Sequence, residues 1–221
     1  MARPTEHEKR SQLAEKAVEV LEREGLEIST TRLAEALGVK RPTLLYHFPS
    51  LGELVEQALR DLLLEQAAYV AGRVAEVEHP LDKLATQLEA VAEFHHGREA
   101  RVVFLSQAIA ALSGSRLAEL LEAGSELFAA QRRANVERIE RGVAEGTVAP
   151  CDAEALVALV RAVTDGLMLQ RVTSHTELAP VHAFLRERLF EPLKRAPRHV
   201  GRSRPSQSSS RNEARSTGGT K

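Results

Sequence analysis

The stretch TRLAEALGVKRPTLLYHF, residues 31–48, decides how this chain is read. Leu33, Ala34 and Leu37 recur at helical spacing, Gly38 is free to take a left-handed turn, and Val39 re-enters an apolar interior. Pro42 suits the first turn of a second helix, where its missing N–H is no loss, and Leu44 with Phe48 forms an i, i+4 apolar pair. Ala34 is small where two such helices must cross. The spacing predicts a helix-turn-helix, whose second helix lies in the major groove with its N-terminal residues toward base edges. Lys40, Arg41, Thr43, Tyr46 and His47 are then the candidate DNA contacts on that helix, with Ser29, Thr31 and Arg32 around the first. Lysine and arginine pair with phosphates or with guanine O6 and N7, and a threonine offers both a hydroxyl and a methyl group.

Outward from this motif the helix signals continue. Thr5 and Glu8 form a capping box, followed by a stripe of Leu13, Ala17 and Leu21 that ends at Gly25, and Ser29 is placed to cap the next helix. Downstream, Pro49 stops the second helix of the motif. Ser50 and Glu53 launch a long amphipathic helix through Leu54, Leu59, Leu62, Leu63 and Val70 to about Val77. Further helices are expected near 81–95, 99–112, 116–145, 153–173 and 179–194, with breaks at His96-Gly97, at Ser113-Gly114-Ser115 and at Gly146. Alternating strand-like runs are missing, so the expected fold is all-α with about nine helices: a helix-turn-helix domain over 1–49 and a helical bundle over 50–195. From Ala196 the composition turns to Arg, Ser, Gly and Pro without apolar periodicity, which predicts a disordered basic tail over 196–221.

A net charge of −1 does not by itself advertise nucleic-acid binding, so the case rests on local geometry. No apolar run approaches the roughly 18 to 20 residues of a membrane span and the N-terminus lacks a signal-like stretch, which predicts a cytoplasmic protein with no membrane partner. The single Cys151 cannot form an internal disulfide and reads as a structural thiol. His95 and His96 are adjacent, so on a helix they point about 100° apart, and no further His or Cys follows at ligand spacing. Neither metal nor cofactor is expected. A phosphate loop, a nucleophile elbow and paired catalytic carboxylates are all missing from the pattern, which argues against an enzyme.

At this level the chain resembles the TetR family of repressors, with Ser29, Leu33-Ala34, Gly38-Val39, Thr43-Leu44 and His47-Phe48 in step with the family's motif. A second likeness lies in residues 139–147, then Asp152 and Asp165-Gly166-Leu167, so the resemblance covers 5–194. It departs at Leu45, where the family usually has a phosphate-contacting Tyr, and at Leu51, where it usually has a Lys. The resemblance implies a helical bundle with an internal effector cavity, and a homodimer whose last two helices pair with their symmetry mates.

The terminal helices carry apolar stripes of their own: Leu156, Leu159, Val160, Val163 and Leu167, then Val181, Phe184, Leu185 and Leu189, with Gly166 allowing close approach of a partner helix. These are the expected dimer contacts. Candidate effector contacts are polar or aromatic residues on otherwise apolar faces: Tyr69, Phe94, His95, Phe104, Gln107, Phe128, Gln131, Asn135, Met168 and Gln170. The expected function is an effector-responsive repressor, a homodimer on a palindromic operator in double-stranded DNA. The alternative, prompted by Leu45 and Leu51, is a protein-interaction or co-regulator protein with the same fold and no specific DNA binding.

Overall fold

The computed structural model describes residues 5–111 and 115–195, with their side chains apart from 7, 109–111 and 115–128. The expected disorder of 196–221, the break at 112–114 and the side chain of Phe128 lie outside the described residues. Among the described residues nine α-helices follow in order: α1 Glu6–Glu24, α2 Thr30–Ala36, α3 Arg41–His47, α4 Leu51–Ala75, α5 Pro80–His95, α6 Ala100–Ala111, α7 Ser115–Glu145, α8 Ala153–Ser174 and α9 Leu178–Leu185. Extended pairing among the described residues is limited to one antiparallel bridge, Val148 to Lys194. No helix among the described residues is long and apolar enough to cross a membrane.

The caps are where the side-chain chemistry puts them. Thr5 and Glu8 exchange bonds at the start of α1, with Thr5 N donating to Glu8 Oε2 at 2.6 Å and Glu8 N donating to Thr5 Oγ1 at 3.3 Å. Ser29 accepts from Arg32 N at 3.2 Å, and Ser50 accepts from Glu53 N at 3.2 Å. Each cap satisfies a backbone N–H that the first helical turn cannot, a contribution of about 1 kcal/mol. Gly38 turns α2 into α3 at a φ of 68°, a conformation that a side chain would strain.

Two hydrophobic cores result. The first joins α1, α2 and α3 through Leu21, Leu33, Leu44 and Phe48, takes Leu54, Leu59 and Leu62 from α4, and is completed by Phe104 and Ala108 of α6. The second joins α5, α7 and α8 through Leu81, Leu84, Leu88, Ile139, Leu156 and Val160, and receives Phe190 from the C-terminal segment. A sequence boundary at 49/50 therefore does not separate the cores, because the first half of α4 belongs to the head.

The last expected helix is corrected by the structure. It is α-helical only to Leu185, widens to a π-turn over Arg186–Phe190 and tightens to a 3-10 turn over Glu191–Leu193. Pro192 has no N–H to give the carbonyl four residues back, and the wider turn swings Phe190 to 1% exposure in the second core. Asp82 then clasps the end, 2.7 Å from Lys194 Nζ and 3.3 Å from Arg186 Nη1.

Gly142, inside α7, faces the α7–α8 turn so closely that a Cβ there would lie 2.7 Å from Val148 Cγ2 and 3.1 Å from Pro80 Cγ. Val148 is fully buried and cannot withdraw. Gly142→Ala should therefore destabilise the fold by about 1–3 kcal/mol through overpacking. Gly72→Ala, at an open position on α4 with nothing within 4 Å, should stabilise it by up to about 1 kcal/mol. Paired thermal melts check the sign, which intrinsic helix propensity alone would make the same for both.

Candidate nucleic-acid interface and effector cavity

The α2–α3 unit presents a reading face whose back is locked. Leu44 and Phe48 are 2% and 1% exposed, and the Arg10 guanidinium lies 4.8 Å from the centroid of the Phe48 ring. That cation–π contact clamps the end of α3 against α1. On the opposite side Lys40, Arg41, Pro42, Thr43 and Tyr46 are all exposed, so these candidate contacts are accessible without rearrangement of the core. Arg41 Nε donates to Thr30 Oγ1 at 3.2 Å, which aims its guanidinium along α2. Lys40 makes no side-chain capping bond.

Three of the expected contacts are otherwise engaged. Arg32 pairs with Glu24 through Nε at 3.1 Å and Nη2 at 3.2 Å, and this bond holds the Glu24 carboxyl below its ordinary range. The His47 side chain is only 9% exposed and sits 3.9 Å from Glu6, so it turns toward α1. The Ser29 hydroxyl is spent as a cap. Thr31 is exposed at the start of α2. Tyr46 projects outward at 71% exposure, yet its phenol is raised above the usual range first by its hydrogen bond to the Glu6 carboxylate. Leu51 packs on the first core and Leu45 is half-buried, so an apolar residue at 51 has a structural reason.

Between α4, α5, α7 and α8 lies a cavity of about 520 Å³ walled by Leu63, Val70, Leu84, Val91, Val157 and Val160. Its size and apolar lining suit a small ligand. Of the candidate effector contacts only Gln131 and Asn135 line it. Gln66, Gln87, Arg132, Arg161 and Asp165 also line it and were missed, because polar residues on a helix read as solvated when the covering helix is unknown.

A second opening of about 750 Å³ lies between α5, α8 and α9 and takes Tyr69, His95 and Met168. Its carboxylates are matched. Glu89 lies 2.7 Å from Arg186, Glu93 accepts from Tyr69 and Arg73, and Arg171 stands 3.5 Å from Glu99 and 3.6 Å from Glu177. Phe94 stacks between Tyr69 and His95 at centroid distances of 5.7 and 5.0 Å. Phe104 is not a cavity residue: it is 1% exposed within the first core. Gln107 and Gln170 point to solvent.

His95 separates the two openings. Its Nε2 lies 2.8 Å from Gln66 Oε1 in the first, while its ring borders the second. It is 3% exposed, and burial pushes its pKa down to about 4, aided by the nearby Arg101 cation. Arg101 in turn faces Glu22 of α1 at 3.3 Å, and burial raises the Glu22 carboxyl despite that partner. Among the described residues no three His, Cys, Asp or Glu side chains converge as a metal site.

The expected dimer contacts divide. Leu156, Val160 and Leu167 are buried, and Leu156, Val160, Val163, Leu185 and Leu189 pack into or onto the chain's own second core. An apolar stripe identifies a covered face but not its cover, and here the cover for these residues is the same chain. Val181 is half-buried. Leu159 and Phe184 are 47% and 62% exposed, Leu169 is 52% exposed, and a Cβ at Gly166 would meet nothing within 4 Å. Among the described residues the open face of α8 thus runs through Leu159, Ala162, Gly166 and Leu169, spaced at three and four, with Ala162 also at the edge of the cavity lining.

Comparison with known proteins places this geometry among regulators. Residues 13–58 match the family described as bacterial regulatory proteins, tetR family. The chain is 28% identical over 162 residues to the HTH-type transcriptional repressor KstR2 of Mycolicibacterium smegmatis, across 71% of this chain and 76% of the relative. It resembles the solved ketosteroid transcriptional regulator KstR2 of Mycobacterium tuberculosis with a TM-score of 0.62 at 22% identity, over 85% of this chain and 96% of that one. It also resembles the TetR family transcriptional regulator PfmR from Thermus thermophilus with a TM-score of 0.65 at 22% identity, over 83% and 100% of the two chains. At those identities the structural likeness speaks for the fold alone.

The His95 environment carries a pH signature. With a folded pKa near 4 against an ordinary 6.5, the ring stays neutral in the fold while the unfolded chain takes up a proton as pH falls below 6.5. The unfolded state then binds more protons, so stability is full above pH 6.5 and declines as pH drops toward 4, by up to about 3 kcal/mol. His95→Leu should flatten that part of the profile in denaturant titrations at pH 7 and pH 5. An unchanged slope would remove His95 as its source.

Proposed function

The N-terminal head belongs to the tetR family of bacterial regulatory proteins, and from that premise we propose that the chain is an effector-responsive repressor acting as a homodimer on palindromic DNA. The observation that carries this reading is the arrangement of α4 and α6. Both enter the core that holds the reading helix, and α4 also walls the 520 Å³ cavity. An effector that fits the cavity better in one arrangement of α4 than in the other changes the pose of α3, and differential affinity for the two states is all that such coupling needs. Action in the cytoplasm follows from the target. The rival reading, a protein-interaction module, drew on Leu45 and Leu51, and the packing of Leu51 on the first core removes most of its motive.

A single head of this size has few base contacts, so a two-fold pair is the economical way to reach useful affinity, with half-sites about 34 Å apart or somewhat wider. The exposed strip of α8 with Phe184 of α9 is the surface available for that pairing. Leu159→Arg with Phe184→Arg should yield a folded monomer in analytical ultracentrifugation, whereas Leu156→Arg should unfold the chain by burying a charge in its own core. A dimer that survives the double substitution would place the interface elsewhere.

On DNA, footprinting against the chain's own upstream region should protect a palindrome. Lys40→Ala and Arg41→Ala should each weaken binding about tenfold and lower the salt slope by about one. Thr43→Ala should relax preference at one or two base pairs. If none of the three changes affinity in gel shifts, the assignment of α3 as the reading helix is wrong.

A further inference from the structure

The cavity between α4, α5, α7 and α8 has a direction built into its polar groups. Arg138 Nη1 lies 2.9 Å from Asn135 Oδ1, and Asn135 Nδ2 lies 2.9 Å from Gln87 Oε1. Arginine can only donate, so Asn135 must turn its oxygen to Arg138 and its NH₂ to Gln87. Gln87 must therefore spend its oxygen on Asn135. What remains is its NH₂, a donor at the end of a chain rooted in a cation, and no partner for it exists among the described residues. Asn135, the middle member, is 6% exposed, and Gln87 and Arg138 on either side of it are half-buried. On α4 the same happens to Gln66, whose Oε1 is held 2.8 Å from His95 Nε2, leaving its NH₂ over.

The charges point the same way. Arg161 lies 2.7 Å from Asp165, so this pair contributes little net field. Arg132 also lines the cavity, three residues before Asn135 on one face of α7, and has no acidic partner among the described residues. The lining thus offers the Gln87 donor and the Arg132 cation, three residues from the Asn135 that holds Gln87, beside the aliphatic wall of Val91, Val157 and Val160.

We propose that the effector is an apolar molecule ending in a carboxylate, seated with its oxygens on the Gln87 amide N–H and the Arg132 guanidinium. This rests on the effector reading above and narrows it to one ligand class. An amine of the same body would set a donor against donors and a cation against Arg132.

The test is calorimetric titration of the full chain with decanoate and with decylamine, beside gel shifts on the operator with the same two compounds. Decanoate should bind at least tenfold tighter than decylamine. Gln87→Glu keeps an oxygen for Asn135 but replaces the donor with a negative charge, so decanoate should weaken at least tenfold while decylamine does not. Arg132 is exposed, so Arg132→Gln leaves packing intact and should weaken decanoate severalfold without touching decylamine. Equal binding of the two compounds, binding of neither, or decanoate affinity unchanged in both variants overturns the proposal. Decanoate that binds as stated but leaves the operator complex intact supports the ligand chemistry and sinks the effector reading. Release of operator by decylamine alone does the reverse.

Discussion

Phe104 is the side chain on which the architecture turns. It belongs to α6, in the body of the molecule, yet it is 1% exposed inside the core that Leu33, Leu44 and Phe48 build beneath the reading helix. Interiors pack at near-crystalline density, so α6 cannot slide without the head following or a void opening. Leu54 and Leu59 of α4 fix the head from a second direction. A head tied to its body by two helices is packed as one unit with them, so a change in their pose would carry the head along. The half-buried charge contact of Arg101 with Glu22 adds orientation at the same junction, because breaking it would leave two poorly solvated charges without their partner.

The pairing of polar groups is what favours the smaller cavity over the larger as the proposed effector site. In the larger opening every glutamate on the wall already has an arginine, and a ligand would have to displace bonded partners to gain any. In the smaller one the Gln66 and Gln87 side-chain oxygens are already engaged by His95 and Asn135, while their amide nitrogens have no partner among the described residues. His95 links this cavity to the junction, since it bonds Gln66 on one side and lies beside Arg101 on the other.

Local signals were the legible ones. Thr5 with Glu8, Ser29, Gly38 and Ser50 each act within a turn or two of their own position, so their roles follow from residue type and spacing alone. The helices from α1 to α8 were readable for that reason. The C-terminal segment was not, because Pro192 breaks a register that the apolar pattern continues. Site residues were harder still. Phe104, Leu156 and Val160 lie on faces correctly seen as covered, but a periodicity carries no information about which helix does the covering. Gln66, Gln87 and Arg132 were passed over because an isolated polar residue on a helix is ordinarily solvated. The i, i+3 run of Arg132, Asn135 and Arg138 was the signal available, a polar line along α7 whose middle member the fold buries.

The two departures from the expected head pattern have different meanings once packed. Leu51 rests on the first core, so its apolar side chain adds burial where a lysine would add a phosphate contact. Tyr46 has the hydroxyl that Leu45 lacks, but that hydroxyl is bonded to Glu6, a carboxylate that also stands beside His47. Bringing Tyr46 to a phosphate would break that bond and leave Glu6 facing a polyanion. The two anchors are thus not replaced in kind, and the electrostatic part of DNA affinity, which scales with the number of phosphates neutralised, falls to Lys40 and Arg41. Arg32 adds less, because Glu24 already holds two of its three guanidinium nitrogens. On the proposed reading, a head with so few free cations is weak alone, and a second copy paired through the open face of α8 would supply the missing affinity.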